Sequence, residues 1–223
     1  MGSADLSYEI FKNVTAKSRT SFETIETRFT QSEHPNSFNA YLFLNPGQDF
    51  AGFEDVNNRR EFRFNQLWQL GYNKIFAEKH TVSILGNAEY YSSQVNSNNV
   101  RQNGLDPLTF VPGTGAGYLA DIAAHDFYGA RGSVSKIKTS LISYFGVLDY
   151  DFDNRYGIVG TIRYDGSNRF LKDYAWGTFW SVGARWNINN ESFMKNNDLF
   201  EVLKLRLSYG ETGNQRISSG TEF

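Results

Sequence analysis

Read with a period of two, residues Arg59 to Asn73 place Phe62, Phe64, Trp68, Leu70 and Tyr72 on one face. Glu61, Arg63, Asn65, Gln69 and Asn73 fall on the other, and Gln66 and Leu67 interrupt each face once. Such alternation predicts a β-strand with two unlike surfaces. The same pattern recurs over Thr81–Tyr91, with Val82, Ile84, Ala88 and Tyr90 opposite Thr81, Ser83, Asn87 and Glu89. Downstream, Ile142, Tyr144, Leu148 and Tyr150 oppose Ser143 and Asp149, and Tyr156, Ile158, Ile162 and Tyr164 oppose Thr161, Arg163 and Asp165. Trp180, Val182, Ala184, Trp186 and Ile188 then oppose Ser181, Arg185 and Asn187, and Leu203, Leu205, Leu207 and Tyr209 oppose Lys204, Arg206 and Ser208. Two weaker strands are expected around Leu6-Tyr8-Ile10 and from Ser18 to Gln31, giving about eight strands and an all-β antiparallel sheet.

The predicted connections alternate in length, because consecutive antiparallel strands turn at opposite ends of a sheet. Short ones fall at Lys12–Lys17, Lys74–His80, Asp151–Arg155 and Asn189–Leu199, and long ones at Ser32–Asn58, Ser92–Lys136 and Gly166–Trp176. Short turns at one end, long loops at the other and strands of about 10 residues with aromatic ends are the signature of an outer-membrane barrel. Tyr150 and Tyr156 flank one turn, and Tyr164, Tyr174 and Trp176 lie near the opposite ends, as two interfacial girdles require. A soluble sandwich or lipocalin-like barrel also alternates, with its apolar face turned inward.

Composition narrows the function classes. The 223 residues carry 22 Lys+Arg and 24 Asp+Glu, a net charge of −2, which argues against a nucleic-acid partner. Aromatic residues make up 16%, too many for disorder. No run approaches the ~18 apolar residues of a membrane-spanning helix. The chain has no cysteine, so disulfides and thiolate metal sites are excluded. Met1-Gly2-Ser3-Ala4-Asp5 carries no basic segment followed by an apolar one, so no signal peptide is expected here and an exported protein with this start would be a fragment.

Candidate chemistry is sparse. His34, His80 and His125 each fall in a predicted loop or turn without a second histidine at metal spacing, so neither a catalytic triad nor a zinc site is expected, and no cofactor. Asp149, Asp151 and Asp153 have calcium-loop spacing, but Asn154 stands where the loop glycine belongs and Gly160 where the bidentate glutamate belongs. A polar strand end accounts for them. Gly113, Gly115 and Gly117 lack the apolar strand that leads into a phosphate loop, and Pro112 breaks the approach. A mobile loop is expected there, with one or two helical turns within Gly117–His125.

Three segments are more distinctive. They are Tyr144-Phe145-Gly146 with Tyr150 through Tyr156, Arg163 through Phe170, and Trp176 through Gly183; the run from Phe193-Met194 through Leu203 to Gln215 follows them. In this order they resemble the central barrel of SusC/RagA-type TonB-dependent outer-membrane transporters. The resemblance is carried by about Ser140 to Gln215, and Trp180 departs from it where the family has proline after the phenylalanine. It implies that residues 1–223 form part of the wall of a large transmembrane β-barrel, the plug and the remaining strands being absent. A barrel of this kind has about 22 strands around a plugged lumen.

The resemblance also implies import of a glycan or peptide, driven by TonB and capped by a SusD-like surface lipoprotein, in the outer membrane of a Gram-negative cell and in contact with its lipid. It implies no enzyme activity. With the polar face turned to the lumen, Arg163, Asp165, Arg169, Arg185 and Arg206 would face substrate or plug, and the first expectation for Arg163, Asp165 and Arg169 is a charge network that holds the strand to plug or loop. Phe170, Tyr174 and Trp176 are the loop aromatics that would stack on substrate or anchor the girdle. The alternatives are a complete eight-stranded barrel with a structural or adhesive role and a barrel hydrolase; the latter needs a Ser–His pair on a strand, which the predicted strands lack.

Overall fold

The computed structural model describes residues 1–42, 44, 46–119, 128, 130–171, 174–194, 200 and 202–213. Eight strands, β1 (Gly2–Phe11), β2 (Val14–Glu33), β3 (Phe53–Phe76), β4 (His80–Asn103), β5 (Arg131–Phe152), β6 (Tyr156–Ser167), β7 (Trp176–Asn187) and β8 (Lys204–Glu211), form one sheet in sequence order. The pairing is antiparallel, in accord with the all-β up-and-down expectation. Short turns close three hairpins, and their sharp reversal places Asn13, Ala77, Glu78, Asp153 and Asn154 at positive φ. In the last of these the Asp151 side chain accepts a hydrogen bond from the Asn154 N–H at 2.8 Å.

The strands are longer than the alternation indicates. β3 and β4 each have 24 residues and β5 has 22, so the expected loop Ser92–Lys136 shrinks to the connection after Asn103, and Ser32–Asn58 to that between Glu33 and Phe53. The reason is physical. A strand needs only about 9–11 residues to cross a membrane, and alternation marks just that stretch. Beyond it, as in Ser92-Ser93-Gln94-Val95-Asn96-Ser97-Asn98, neither face needs to be apolar, and the backbone pairing continues without a hydrophobic signal. His80, expected in a turn, opens β4, and its Nδ1 shares a 2.7 Å hydrogen bond with the Tyr150 hydroxyl.

The chain divides into two compact units, one of Met1–Glu23, Arg63–Ser93 and Thr139–Phe223, the other of Thr24–Phe62 and Gln94–Lys138. In the first, no hydrophobic residue is buried among the described residues, whereas Ser93, Ser143, Ser167, Asn187 and Glu191 are. The register explains this inversion. Ile158 pairs with Ala184, which pairs with Leu207; Ile162 pairs with Trp180; and Val182 pairs with Tyr209, all on one exposed apolar face. Thr161 pairs with Ser181, and Arg185 with Arg206, on the other. Gln66 interrupts the apolar alternation of β3, and its amide is satisfied locally by hydrogen bonds with Thr20 and Ser18.

The second unit buries Ala40, Ala51, Leu105, Phe110 and Tyr128 together with the polar Glu54, Glu61 and Gln102. Its glycine loop is held by bridges and by hydrogen bonds. Gly113, Gly115 and Gly117 adopt φ near +77 to +81°, a conformation glycine takes without strain, and bridges join Leu105 to Tyr118 and Val111 to Ala116. The buried Glu54 carboxylate accepts hydrogen bonds from the Gly113 N–H and the Tyr118 hydroxyl, both at 2.6 Å. Burial, followed by the Glu54 contact, raises the Tyr118 pKa. The helical turns expected after Gly117 fall largely on residues 120–127, outside the described residues.

Val182 lies midway along β7 between the aromatic positions Trp176 and Trp186, so it tests which medium the apolar face meets. In the full-length protein, Val182→Arg is expected to cost about 2–4 kcal/mol if that face lies in lipid, and Ser181→Arg on the polar face much less. Unfolding in detergent or lipid bilayers measures both, and equal costs would contradict the assignment of faces.

Candidate functional site

Odd-numbered residues of β5–β7 and even-numbered residues of β8 share the polar face, and many of their side chains hold one another in place. Arg163 is the hub. Its Nε donates to both Asp165 carboxylate oxygens at 2.7 and 2.8 Å, and its Nη2 donates to the Ser143 hydroxyl at 2.9 Å. Glu89 lies 3.6 Å from the same Nη2, and the guanidinium sits 4.9 Å from the centre of the Phe145 ring. Glu89 in turn accepts from the Asn65 amide at 2.7 Å, so the network spans β3 to β6. Arg163 is charge-compensated and oriented, with its guanidinium fixed in a plane.

A second cluster lies toward the short turns. Arg185 donates through Nη1 and Nη2 to Asp149, both at 3.1 Å, and through Nη2 to Asp151 at 2.8 Å. It reaches these carboxylates by lying across Gly157, its register partner on β6; a Cβ on Gly157 would stand 2.3 Å from Arg185 Nε. Arg206 is exposed and pairs in register with Arg185 across β7–β8. The two acids therefore neutralise Arg185, the inner of these two arginines.

An open cavity of about 570 Å³ occupies the long-loop end of the β6–β8 segment. Thr161, Arg163, Asp165, Ser181, Phe170, Tyr174 and Phe179 line it, together with Trp176 and the segment Glu211–Gly213. Thr161 and Ser181 share a 2.6 Å hydrogen bond on its wall. Thus Arg163, Asp165, Phe170, Tyr174 and Trp176 come together, whereas Arg185 and Arg206 do not line this cavity. Arg169 follows in the loop, half-buried, with its N–H donating to the Ser167 hydroxyl at 3.3 Å. Trp176 stacks on Tyr164 at 4.6 Å between centroids and on Tyr144 at 6.5 Å, on the apolar face. This is girdle geometry. The arrangement offers oriented donors and acceptors, exposed rings and a charge-compensated Arg163.

Sequence reading missed Phe145 and Phe179 on the polar face, although their odd positions in the alternation carry that signal. It also missed Glu191, which no local pattern marks. This residue follows β7 and accepts from the Tyr156 hydroxyl, from Trp186 Nε1 at 2.9 Å and from Arg155 Nη1 at 3.3 Å. It ties the β5–β6 turn to the β7–β8 connection, where Asn187 and Asn190 also donate to the Asn154 carbonyl at 2.7 and 2.8 Å.

No family profile matches the chain. Over 80 residues, 36% of the chain, it is 49% identical to the TonB-dependent receptor SusC of Bacteroides thetaiotaomicron. The TonB-dependent receptor P39 of Formosa agariphila is 32% identical over 199 residues, 82% of the chain, and P26 of the same organism is 29% identical over 86% of it. The chain belongs to the SusC/RagA-type TonB-dependent receptors. It spans 8% of the length of SusC, 17% of P39 and 18% of P26. A solved structure titled as that of the RagAB peptide transporter superposes on 96% of this receptor segment with a TM-score of 0.76 at 22% identity, covering 22% of that chain. That likeness shows the fold, a portion of the wall of a transmembrane outer-membrane barrel. The receptor's two-faced sheet follows, because the membrane takes the apolar side and the lumen the polar one.

Two measurements on the full-length receptor test these clusters. Arg185→Ala leaves Asp149 and Asp151 without their cation and is expected to cost roughly 1–3 kcal/mol in unfolding experiments. Gly157→Ala, which collides with the Arg185 side chain, should destabilise in the same sense; a neutral result for both would refute the cluster. Glu191 lies outside the membrane-spanning strands. Hydrogen bonds from Tyr156, then Trp186, then Arg155 lower its pKa. Its contribution is therefore complete above the unfolded glutamate value of about 4.3 and is lost as pH falls through the lower folded value. Hydrogen exchange at residues 153–155 should stay protected down to about pH 4.3 and rise only below it, and Glu191→Gln should remove that acid step.

Proposed function

We propose that the chain is part of the barrel wall of an outer-membrane importer that takes up a large nutrient, a glycan or peptide. The observation that carries this reading is the inverted sheet, apolar outside and hydrogen-bonded inside, in a chain related to SusC. The plug and the remaining wall belong to the rest of the receptor, energy arrives from TonB through the plug, and a SusD-like surface lipoprotein covers the long loops. Long loops face outward and short turns the periplasm. Arg163 and Asp165 present hydrogen-bonding groups to the passing substrate, Phe170 and Tyr174 contribute stacking surface, and Trp176 anchors the outer girdle. Arg185 and Arg206 face the plug half of the lumen, and Arg169 supports the loop beside the cavity.

Uptake assays with labelled oligosaccharides and oligopeptides in cells expressing the full-length receptor test this. Phe170→Ala and Tyr174→Ala are each expected to lower uptake about two- to tenfold, the loss of one stacking contact, with receptor abundance unchanged. Unaltered uptake in the double variant would remove these rings from the site. Orientation is checked by epitopes on intact cells: tags at Thr114 and Tyr174 should bind antibody, and tags at Glu78 and Asn154 should not.

A further inference from the structure

On the apolar face at the short-turn end, Tyr156, Ile158, Ala184, Trp186, Leu205 and Leu207 line a groove of about 500 Å³. The register builds it. Tyr156 pairs with Trp186, which pairs with Leu205, and in the next row Ile158 pairs with Ala184, which pairs with Leu207. Large side chains thus surround one small one, and Ala184 forms the floor.

Two rings of this groove have polar atoms, and both are already engaged. The Tyr156 hydroxyl and Trp186 Nε1 donate to the same Glu191 oxygen, so the rings turn their carbon surfaces to the groove. They stack with centroids 6.5 Å apart and planes 20° from parallel. The wall is therefore held open before anything enters it, and a ligand there need not order it. Gly157 and Arg185 complete the lining, and the Arg185 guanidinium is held away by Asp149 and Asp151, so what the groove offers is mainly hydrocarbon.

We infer that this groove seats one acyl chain of a phospholipid, lying along Ala184 and held longer than the lipid around it. The groove is continuous with the membrane-facing surface, where Ile158 is 55% and Leu207 68% exposed, so lipid is the medium that reaches it. The inference rests on the proposed function only in that the short-turn end faces the periplasmic leaflet.

The test uses the full-length receptor in nanodiscs of phosphatidylethanolamine and phosphatidylglycerol containing a phospholipid with a mid-chain diazirine. Photolabelling is then mapped residue by residue. Labelling at Tyr156, Ala184 and Leu207 is expected at least about fivefold above that at Ile162 and Val182, which are also exposed on the same face. Ala184→Phe, on an exposed position where bulk does not threaten the fold, should bring it down to that background, and Ile162→Phe should leave it unchanged. Equal labelling of all five positions, meaning passing lipid only, overturns the seat, as does excess labelling that survives Ala184→Phe. Protein–protein cross-links from Ala184 in place of lipid adducts overturn it in favour of a second copy. Absence of label from Ile162 and Val182 as well would refute the membrane-facing assignment itself, a different failure.

Discussion

A strand that crosses lipid finds no water for its N–H and C=O groups, so each must be met by the neighbouring strand. Everything else in this segment depends on that requirement. It enforces hydrogen-bonded pairing of neighbouring strands in sequence order from β1 to β8, and pairing with period two sends alternate side chains to opposite media. A soluble sheet of this composition would hide Ile158, Ile162, Val182 and Leu207. Here they are exposed, and burial falls instead on Ser143, Ser167 and Asn187.

Burial of polar groups is costly unless they are hydrogen-bonded, and the polar face largely meets that condition by small residues beneath large ones, although Asn187 Oδ1 and Arg155 Nε are buried without a partner. Arg185 crosses Gly157 to reach two aspartates one strand further on, and on the opposite face the Trp176 ring lies over Gly166, where a Cβ would stand 2.7 Å from it. In both cases a missing side chain on the middle strand lets its neighbour lie flat across the sheet. The flat Arg185 completes an ion cluster, and the flat Trp176 completes an aromatic stack with Tyr164 and Tyr144. The ends of the sheet are finished differently. At the short turns one carboxylate, Glu191, gathers a tyrosine, a tryptophan and an arginine.

The unit formed by residues 24–62 and 94–138 differs in that it does bury apolar residues, beside Glu54, Glu61 and Gln102, and has left-handed glycines at its turns. Tyr128 is its clasp: the hydroxyl accepts from the Asp49 and Phe50 N–H groups at 2.6 and 3.2 Å, and its ring occupies the space over Gly104.

Alternation alone was enough to read the strand class, the sequential antiparallel order, the sorting of Arg163, Asp165, Arg185 and Arg206 away from Ile158, Ile162 and Val182, and the tight turn around Asp153-Asn154. These follow from contacts local to one strand or one hairpin, which a period of two encodes directly. Strand length was not legible beyond the apolar stretch, since residues such as Ser92 to Asn103 pair by backbone with no preference for either face. Nor was the company each polar residue keeps. That Arg163 meets Glu89 from β4 and Ser143 from β5, that Glu191 closes one end of the sheet, and that Phe170 and Tyr174 share a cavity with Arg163 are matters of register and loop path between segments far apart in sequence. Only the tertiary structure decides these, because a one-residue slip between strands leaves every local pattern intact and changes every partner.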